Sequence, residues 1–271
     1  MMRNPTFLNL VLLSGDAAQK LRAASAAGFE QVEIWREDAG QNTAALAQLA
    51  GEIGLGFTNL QVLRDATGVP TAQREAKREE ARMFFQLAKQ LGCDTVQAPA
   101  STDKQCVAEN IDDDLRWLSA EAARHNLRLM YEPMAWSQID YTLPQAWQRL
   151  QRLNLPNVGL VVDLFHICAR GGSVSDLAGI PMHRIYEVQL CDVAEPVSPQ
   201  EMERLFDTAR HRRQLPGEGY LPIAEFVDYL KSAGYAGPVG IEVFNDHLKQ
   251  LSAEAAAQRA FQALRRAWPE D

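Results

Sequence analysis

The strongest constraint on the fold is a regular alternation of two kinds of segment along the chain. Short apolar segments rich in β-branched and aromatic residues alternate with longer stretches of helical periodicity. Strands separated by helices are typical of parallel strands joined by right-handed crossovers, which is an α/β architecture. The predicted strands are residues 7–13, 29–35, 56–63, 94–99, 127–132, 158–163, 185–192 and 239–244.

The number of repeats favours a closed (β/α)8 TIM barrel over a doubly wound sheet. A chain of 271 residues has the usual length for such a barrel, and no glycine-rich phosphate loop follows the first predicted strand. No linker, low-complexity tract or shift in composition divides the chain. We therefore predict a single domain over residues 1–271.

The predicted helices end where glycine allows a left-handed cap. Gly28, Gly54, Gly92 and Gly234 each follow a helical run. Residues 192–221 contain three prolines and a Gly-Glu-Gly, and are predicted to form a long loop before the last strand. A loop of that length in a compact barrel is usually functional. The predicted helices are residues 17–27, 43–53, 72–91, 110–125, 143–153, 223–233 and 252–268.

Composition and charge narrow the class of partner. The formal charge of −8 disfavours nucleic acid, because affinity for phosphate backbones comes from clustered lysine and arginine. The apolar run at residues 7–13 is far too short to span a membrane, so no membrane partner is expected and a cytoplasmic location is predicted. The four cysteines show no paired spacing, which predicts free thiols. A small-molecule partner is expected.

Polar residues end several of the predicted strands, where a barrel places its active site. Three carboxylates brought together in an apolar barrel would raise one another's pKa, and a divalent cation would relieve that repulsion. An all-oxygen donor set suits Mg²⁺, Mn²⁺ or Co²⁺ better than a metal that prefers thiolates. The predicted ligands are Glu132, Asp163, Gln189 and Glu242.

Two of these ligands have an alternative interpretation. Asp163 ends the apolar segment GLVVDLFHI at residues 159–167, and such a carboxylate often only caps the next helix. Asp192 competes with Gln189 for the fourth position. The alternation of EVQLCD favours Gln189, because it puts Glu187 and Gln189 on one face and leaves Asp192 in the loop.

Four further residues are predicted to act on the substrate. His166 lies one turn beyond Asp163 and is the candidate base, although it could be a buried core histidine. Arg64 and Arg210 are expected to bind an anionic, oxygen-rich substrate through their guanidinium groups. Glu33 is either a substrate contact or a residue behind the ligands. Arg213, in the same basic run as Arg210, is expected to lie in a solvated turn.

Several motifs resemble the xylose isomerase-like TIM-barrel family of sugar isomerases and epimerases, and most of all its 3-dehydroshikimate dehydratases. They are spread over nearly the whole chain, although VVDLFHI and PGEG are common to the superfamily. VQAPAST after the fourth strand and the residues around YEPMA depart from the pattern expected of dehydratases. The matching motifs are LSGDAAQKLRAASAAGFEQVEIW, LRDATG, YEPMAW, VVDLFHI, EVQLCD, RHRRQLPGEG and IEVFND.

The resemblance implies a metal-dependent lyase that dehydrates 3-dehydroshikimate to protocatechuate through an enolate, as in the catabolism of aromatic compounds. It implies the same ligand set, with Gln189 in place of the commoner histidine. A metal-dependent isomerase or epimerase of a keto-sugar or hydroxy-keto acid, of the inosose or hydroxypyruvate type, is the alternative. DNA-repair nuclease action is disfavoured by the charge and by only five histidines. A binding protein without chemistry is disfavoured by the ligand set. A homodimer is possible.

Overall fold

The computed structural model describes residues 4–40 and 42–270, which form a closed barrel of parallel strands in sequential order. The last strand pairs with the first, so the sheet has no free edge. The predicted fold class is confirmed. The strands are β1 (Thr6–Asn9), β2 (Gln31–Trp35), β3 (Gly56–Gln61), β4 (Thr95–Gln97), β5 (Arg128–Tyr131), β6 (Val158–Asp163), β7 (Ile185–Leu190) and β8 (Val239–Ile241).

Helices surround the barrel and bury their apolar faces against it. The predicted helix stops are confirmed, because Gly28, Gly54, Gly92 and Gly234 all have positive φ angles. The α-helices are α1 (Ala17–Ala27), α2 (Arg36–Ala39), α3 (Thr43–Glu52), α4 (Arg74–Leu91), α5 (Ile111–Arg124), α6 (Leu143–Leu153), α7 (Leu164–Ala169), α8 (Met202–His211), α9 (Ile223–Ser232) and α10 (Ala253–Ala267).

Two differences from the prediction bear on the path of the chain near the strand ends. The first strand ends at Asn9, whose side-chain oxygen accepts a hydrogen bond from the backbone N–H of Val11 and so begins a 3₁₀ turn over Leu10–Leu12. The predicted long loop after β7 contains helix α8, which buries Leu205 and Ala209. The prolines and the Gly-Glu-Gly of this segment favoured a loop, and α8 lies between them.

The strands are buried on both faces, but the two faces differ in chemistry. Along β7, Val188 and Leu190 alternate with Glu187 and Gln189, and all four side chains are fully buried. The polar pair points across the barrel interior toward β2 and β3, where it meets Glu33. The barrel therefore has an apolar exterior that packs against helices and a partly polar interior.

Among residues 4–40 and 42–270, no helix is long and apolar enough to cross a bilayer.

Candidate active site

A cavity of about 630 Å³ opens at the carboxyl ends of the strands. Glu132 directly follows β5 and Glu242 directly follows β8, and both line the cavity together with His166. Asp163 is the last residue of β6, in register with Gln189 on β7. The barrel thus brings the predicted acidic residues to one end of the molecule, as expected from their positions at the strand ends.

Arg213 lies at the centre of the acidic cluster, so the expectation of a solvated turn was wrong. Its side chain is only 2% exposed, and Nη1 donates to Asp163 Oδ2 at 3.0 Å and to Glu242 Oε2 at 3.1 Å. Its Nε donates to the carbonyl of Ala209, and the guanidinium lies over the ring of Phe165. Arg213 therefore supplies positive charge between two of the predicted metal ligands.

The two carboxylate oxygens of Asp163 have different roles: one caps a helix and the other faces the acidic cluster. Oδ1 accepts a hydrogen bond from the backbone N–H of Phe165 and caps α7, while Oδ2 faces Arg213 and His166. The capping interpretation from the sequence is therefore confirmed, and the role of Asp163 as a metal ligand stays a prediction. Burial alone would raise the pKa of Asp163, but Arg213, His166 and the hydrogen bond from Phe165 together outweigh burial, and the pKa is lowered.

Glu132, Asp163 and His166 form a compact group whose ligand atoms all lie within 4.8 Å of one another. His166 Nε2 lies 3.7 Å from Glu132 Oε1 and 3.5 Å from Asp163 Oδ2. Gln97 donates to the other oxygen of Glu132 at 2.6 Å. Burial raises the pKa of Glu132, and the neighbouring Glu242 and Asp163 add to that effect. Bringing a cation to this group would relieve the repulsion.

The protonation of His166 follows from its surroundings. Its Nδ1 accepts a hydrogen bond from the backbone N–H of Ala135 at 3.1 Å, so the neutral ring carries its proton on Nε2, the atom facing the carboxylates. Burial lowers the pKa of His166 to about 4, although Asp163 opposes that effect. His166 is therefore neutral across the physiological range.

Gln189 and Asp192, the two candidates for the fourth ligand, have different surroundings. The Asp192 carboxylate accepts hydrogen bonds from the backbone N–H groups of Val193, Gly217 and Leu221, which organises the loop after β7. Gln189 Oε1 is buried and has no hydrogen-bond partner among the residues that the structure describes. The free oxygen therefore belongs to Gln189, as the alternation of EVQLCD favours.

Glu33 lies behind Gln189 and not on the cavity wall. It is fully buried, and its Oε1 accepts hydrogen bonds from Gln189 Nε2 and Asn59 Nδ2, both at 2.8 Å. Burial raises the pKa of Glu33, and the nearby Glu187 adds to the rise. Of the two roles left open for Glu33, this placement fits a residue that supports the ligands.

Positively charged side chains surround the mouth of the cavity. Arg64 lies over the ring of Trp35 at 5.5 Å and Arg210 over the ring of Phe206 at 5.0 Å. Lys249, in the turn after β8, also lines the cavity. Within the described part of the chain, none of these three exposed cations forms an ion pair with a carboxylate. They are available to an anionic ligand.

Comparison with known proteins identifies the family. The profile described as "Xylose isomerase-like TIM barrel" matches residues 21–267. The chain belongs to this family.

Within the xylose isomerase-like family, similar proteins include dehydratases and isomerases. A 3-dehydroshikimate dehydratase of Pseudomonas putida is 32% identical over 94% of this chain, but the match spans only 40% of that protein's length. An inosose isomerase of Bacillus subtilis is 29% identical over 67% of this chain and 65% of its own. The chain thus spans less than half the length of the two Pseudomonas dehydratases, and 71% of a 3-dehydroshikimate dehydratase of Neurospora crassa.

Solved structures of the family agree in fold. A fusion protein of a xylose isomerase-like TIM barrel and 4-hydroxyphenylpyruvate dioxygenase superposes with a TM-score of 0.91 at 28% identity, covering 98% of this chain and 42% of that one. The IOLI protein, solved with a bound zinc atom, gives a TM-score of 0.87 at 22% identity, covering 99% of this chain and 98% of that one.

Sequence reasoning missed several residues of this xylose isomerase-like site. Arg213 was hidden in the basic run RHRR, and Lys249 lies five residues beyond the motif's Phe244, outside any predicted strand end. Asn9, which donates to Glu242 Oε1 at 2.9 Å, ends β1 and was a detectable signal, because it interrupts an apolar run. Gln97 ends β4 in the same way.

The donor set fits a divalent metal ion. Glu132, Asp163 and Glu242 provide carboxylate oxygens at one end of the barrel, and Gln189 provides a buried amide oxygen with no described partner. An oxygen-rich set of this kind suits a hard cation. A buried oxygen acceptor left without a donor is costly unless something else satisfies it.

Proposed function

We propose that the chain is a divalent-metal-dependent lyase that dehydrates 3-dehydroshikimate to protocatechuate. The observation that carries the proposal is an oxygen-rich acidic cluster beside a cavity that is also lined by three exposed cations, none of which pairs with a carboxylate of residues 4–40 and 42–270. Similarity to 3-dehydroshikimate dehydratases over 94% of the chain supports the choice of substrate. A small anionic ketone with several hydroxyl groups could bind the cations through its carboxylate and reach a metal at the acidic cluster through its ketone.

The proposed ligands of the metal are Glu132, Asp163, Gln189 and Glu242. When bound, a divalent cation would supply Lewis-acid polarisation of the substrate's ketone. Arg64, Arg210 and Lys249 would bind the carboxylate at the cavity mouth, which orients the ring of the substrate toward the acidic floor. The aromatic walls formed by Trp35, Trp136 and Phe244 would exclude water around it.

The reaction requires removal of a proton next to the ketone and departure of a hydroxyl group as water. His166 is the proposed base, because it lines the cavity and its low pKa keeps the ring neutral. To accept a proton at Nε2, the ring must first carry its own proton on Nδ1, which means releasing the N–H of Ala135. His166→Gln is therefore expected to reduce turnover strongly.

The proposal is tested by incubating the protein with 3-dehydroshikimate and Mg²⁺, Mn²⁺ or Co²⁺. The expected result is an aromatic product, followed by ultraviolet absorbance, that disappears when the metal is removed with a chelator and returns when it is added back. Full activity in metal-free protein would contradict the metal-dependent mechanism. Turnover without an aromatic product would favour the alternative.

The second candidate is an isomerase or epimerase of a keto-sugar or hydroxy-keto acid. The observation in its favour is the similarity to inosose isomerases and to hydroxypyruvate isomerases. Such an enzyme would use the same proton removal and differ in where the proton returns. Inosose and hydroxypyruvate assayed beside 3-dehydroshikimate distinguish the two reactions.

A further inference from the structure

We propose that Glu33 is a positioning residue that fixes the side-chain amide of Gln189 so that its oxygen, and not its nitrogen, faces the metal. The inference rests on the proposed metal site. A glutamine ligand differs from a carboxylate ligand in one respect that matters here. Its two terminal atoms are an acceptor and a donor of nearly equal size, and only the oxygen can bind a cation. The amide must therefore be held in one of two orientations.

The amide nitrogen of Gln189 is held by acceptors across the barrel. Nε2 donates to Glu33 Oε1 at 2.8 Å, and Glu187 Oε1 lies 3.4 Å from the same nitrogen. All three side chains are fully buried, so water cannot replace these contacts. Reversing the amide would place its carbonyl oxygen against those carboxyl oxygens, where acceptor would face acceptor.

A second amide fixes Glu33 in turn. Asn59 Nδ2 also donates to Glu33 Oε1, at 2.8 Å, and to Glu187 Oε2 at 3.1 Å. Two donors thus converge on one oxygen of Glu33, which makes that oxygen an acceptor whether or not the carboxyl carries a proton on its other oxygen. The hydrogen bond to Gln189 is therefore maintained in both states of Glu33.

Holding the amide nitrogen of Gln189 leaves the amide oxygen free of hydrogen bonds. Oε1 is buried and has no hydrogen-bond partner within the described ranges 4–40 and 42–270. Because Glu33 and Glu187 hold the nitrogen, this oxygen is the atom left to bind a cation. Groups that orient a metal ligand typically change metal affinity about 10- to 100-fold when they are removed.

The test measures Mn²⁺ affinity by isothermal titration calorimetry in a double-mutant cycle, with no substrate present. Glu33→Leu removes the acceptor and is expected to weaken Mn²⁺ binding about tenfold or more. Gln189→Glu replaces the amide by a carboxylate, whose two oxygens are equivalent and need no orienting. In the Gln189→Glu background, Glu33→Leu should cause no further loss of Mn²⁺ affinity, because the new carboxylate needs no orienting group. Glu33→Leu also removes an acidic group next to that carboxylate.

Three further variants separate positioning from a merely structural role. Thr95→Val removes a fully buried polar group on β4 away from the ligands, and should leave Mn²⁺ affinity unchanged. Glu33→Gln keeps an acceptor oxygen and should retain more affinity than Glu33→Leu. Glu33→Met fills the volume of the glutamate without an acceptor, and replaces Glu33→Leu in the cycle if that variant does not fold.

The outcomes are distinguishable. Absence of Mn²⁺ binding by the unaltered protein would overturn the proposed metal site and the positioning role together. Wild-type affinity in Glu33→Leu, or an equal loss in both Gln189 backgrounds, would overturn the positioning role alone. A loss confined to the Gln189 background supports it.

Discussion

Arg213 shows how one buried side chain can determine the charge balance of a whole site. It contacts both Asp163 and Glu242, and its removal would leave two buried carboxylates without a counter-charge. We expect Arg213→Leu to lower the free energy of unfolding by about 3–5 kcal/mol in the presence of a chelator, as measured by urea unfolding. Saturating Mn²⁺ should recover part of this loss, because a cation bound by the same acids restores the missing charge.

A neighbouring arginine provides the control for Arg213. Arg212 is an exposed side chain in the same basic run. Arg212→Leu should change the free energy of unfolding by no more than about 0.5 kcal/mol, with or without Mn²⁺. A loss for Arg213→Leu as small as this would show that the buried contacts are not stabilising.

Lys249 provides a test of substrate binding at the cavity mouth. It is exposed and lines the cavity, away from the acidic floor. Lys249→Gln is expected to raise the KM for 3-dehydroshikimate by about tenfold, with a much smaller change in kcat, because it removes one charge that binds the carboxylate. Steady-state kinetics measure the two effects. Lys89→Gln, on the far end of α4, should leave both constants unchanged, and an unchanged KM for Lys249→Gln would exclude the contact.

Helices α5 and α6 are joined by an ionic contact that predicts a pH dependence. Asp112 on α5 accepts hydrogen bonds from Arg152 and Arg149 on α6, and the contact with Arg152 is the main cause of its lowered pKa. The stabilisation is therefore present above the unfolded pKa of about 3.9 and is lost as the pH falls below it. Asp112→Asn should lower the free energy of unfolding by about 0.5–1 kcal/mol at pH 7.

The measurement compares urea unfolding of wild-type and Asp112→Asn protein from pH 7 down to pH 3.5. The difference in free energy of unfolding between the two proteins should become smaller as the pH approaches 3.5. Asp113→Asn, on the exposed face of the same turn, is the control and should show a smaller difference at every pH. A constant gap for Asp112→Asn would contradict the linkage.

Strands were predicted from the sequence more reliably than loops, for a physical reason. The barrel strands bury apolar residues on the face that packs against the helices, so each is marked locally by short spaced apolar residues, and each predicted strand overlaps an observed one. The position of Arg213 depends instead on the path of a loop. Its backbone N–H donates to the carbonyl of Phe244, and its carbonyl accepts a hydrogen bond from Asn245 Nδ2, which ties it to the end of β8. No local pattern encodes that contact.

For the molecule as a whole, the eightfold alternation was enough to predict the barrel, and the barrel in turn predicted where the acidic residues meet. The sequence could not reveal which oxygen each residue presents. That choice depends on partners far apart in the chain, such as Asn9 with Glu242 and Gln97 with Glu132. The predicted ligands and catalytic residues stay predictions until metal binding and turnover are measured.

The position of the proposed site within the barrel predicts whether the barrel alone can be active. The two Pseudomonas dehydratases are more than twice as long as the segment they share with this chain. Every proposed ligand and substrate contact nonetheless lies within residues 33–249. Under the proposed function, the purified 271-residue chain should turn over 3-dehydroshikimate without an added partner protein, because this proposal uses only residues of the barrel. Activity that appears only after a second protein is supplied would contradict this.

Arg213 has a final consequence for how such an enzyme matures. Since an internal guanidinium already contacts two of the acids, we expect the polypeptide to reach its native shape before any ion arrives. In the proposed metalloenzyme, folding and metallation would then be separate events, and the metal-free protein could exchange one ion for another without unfolding.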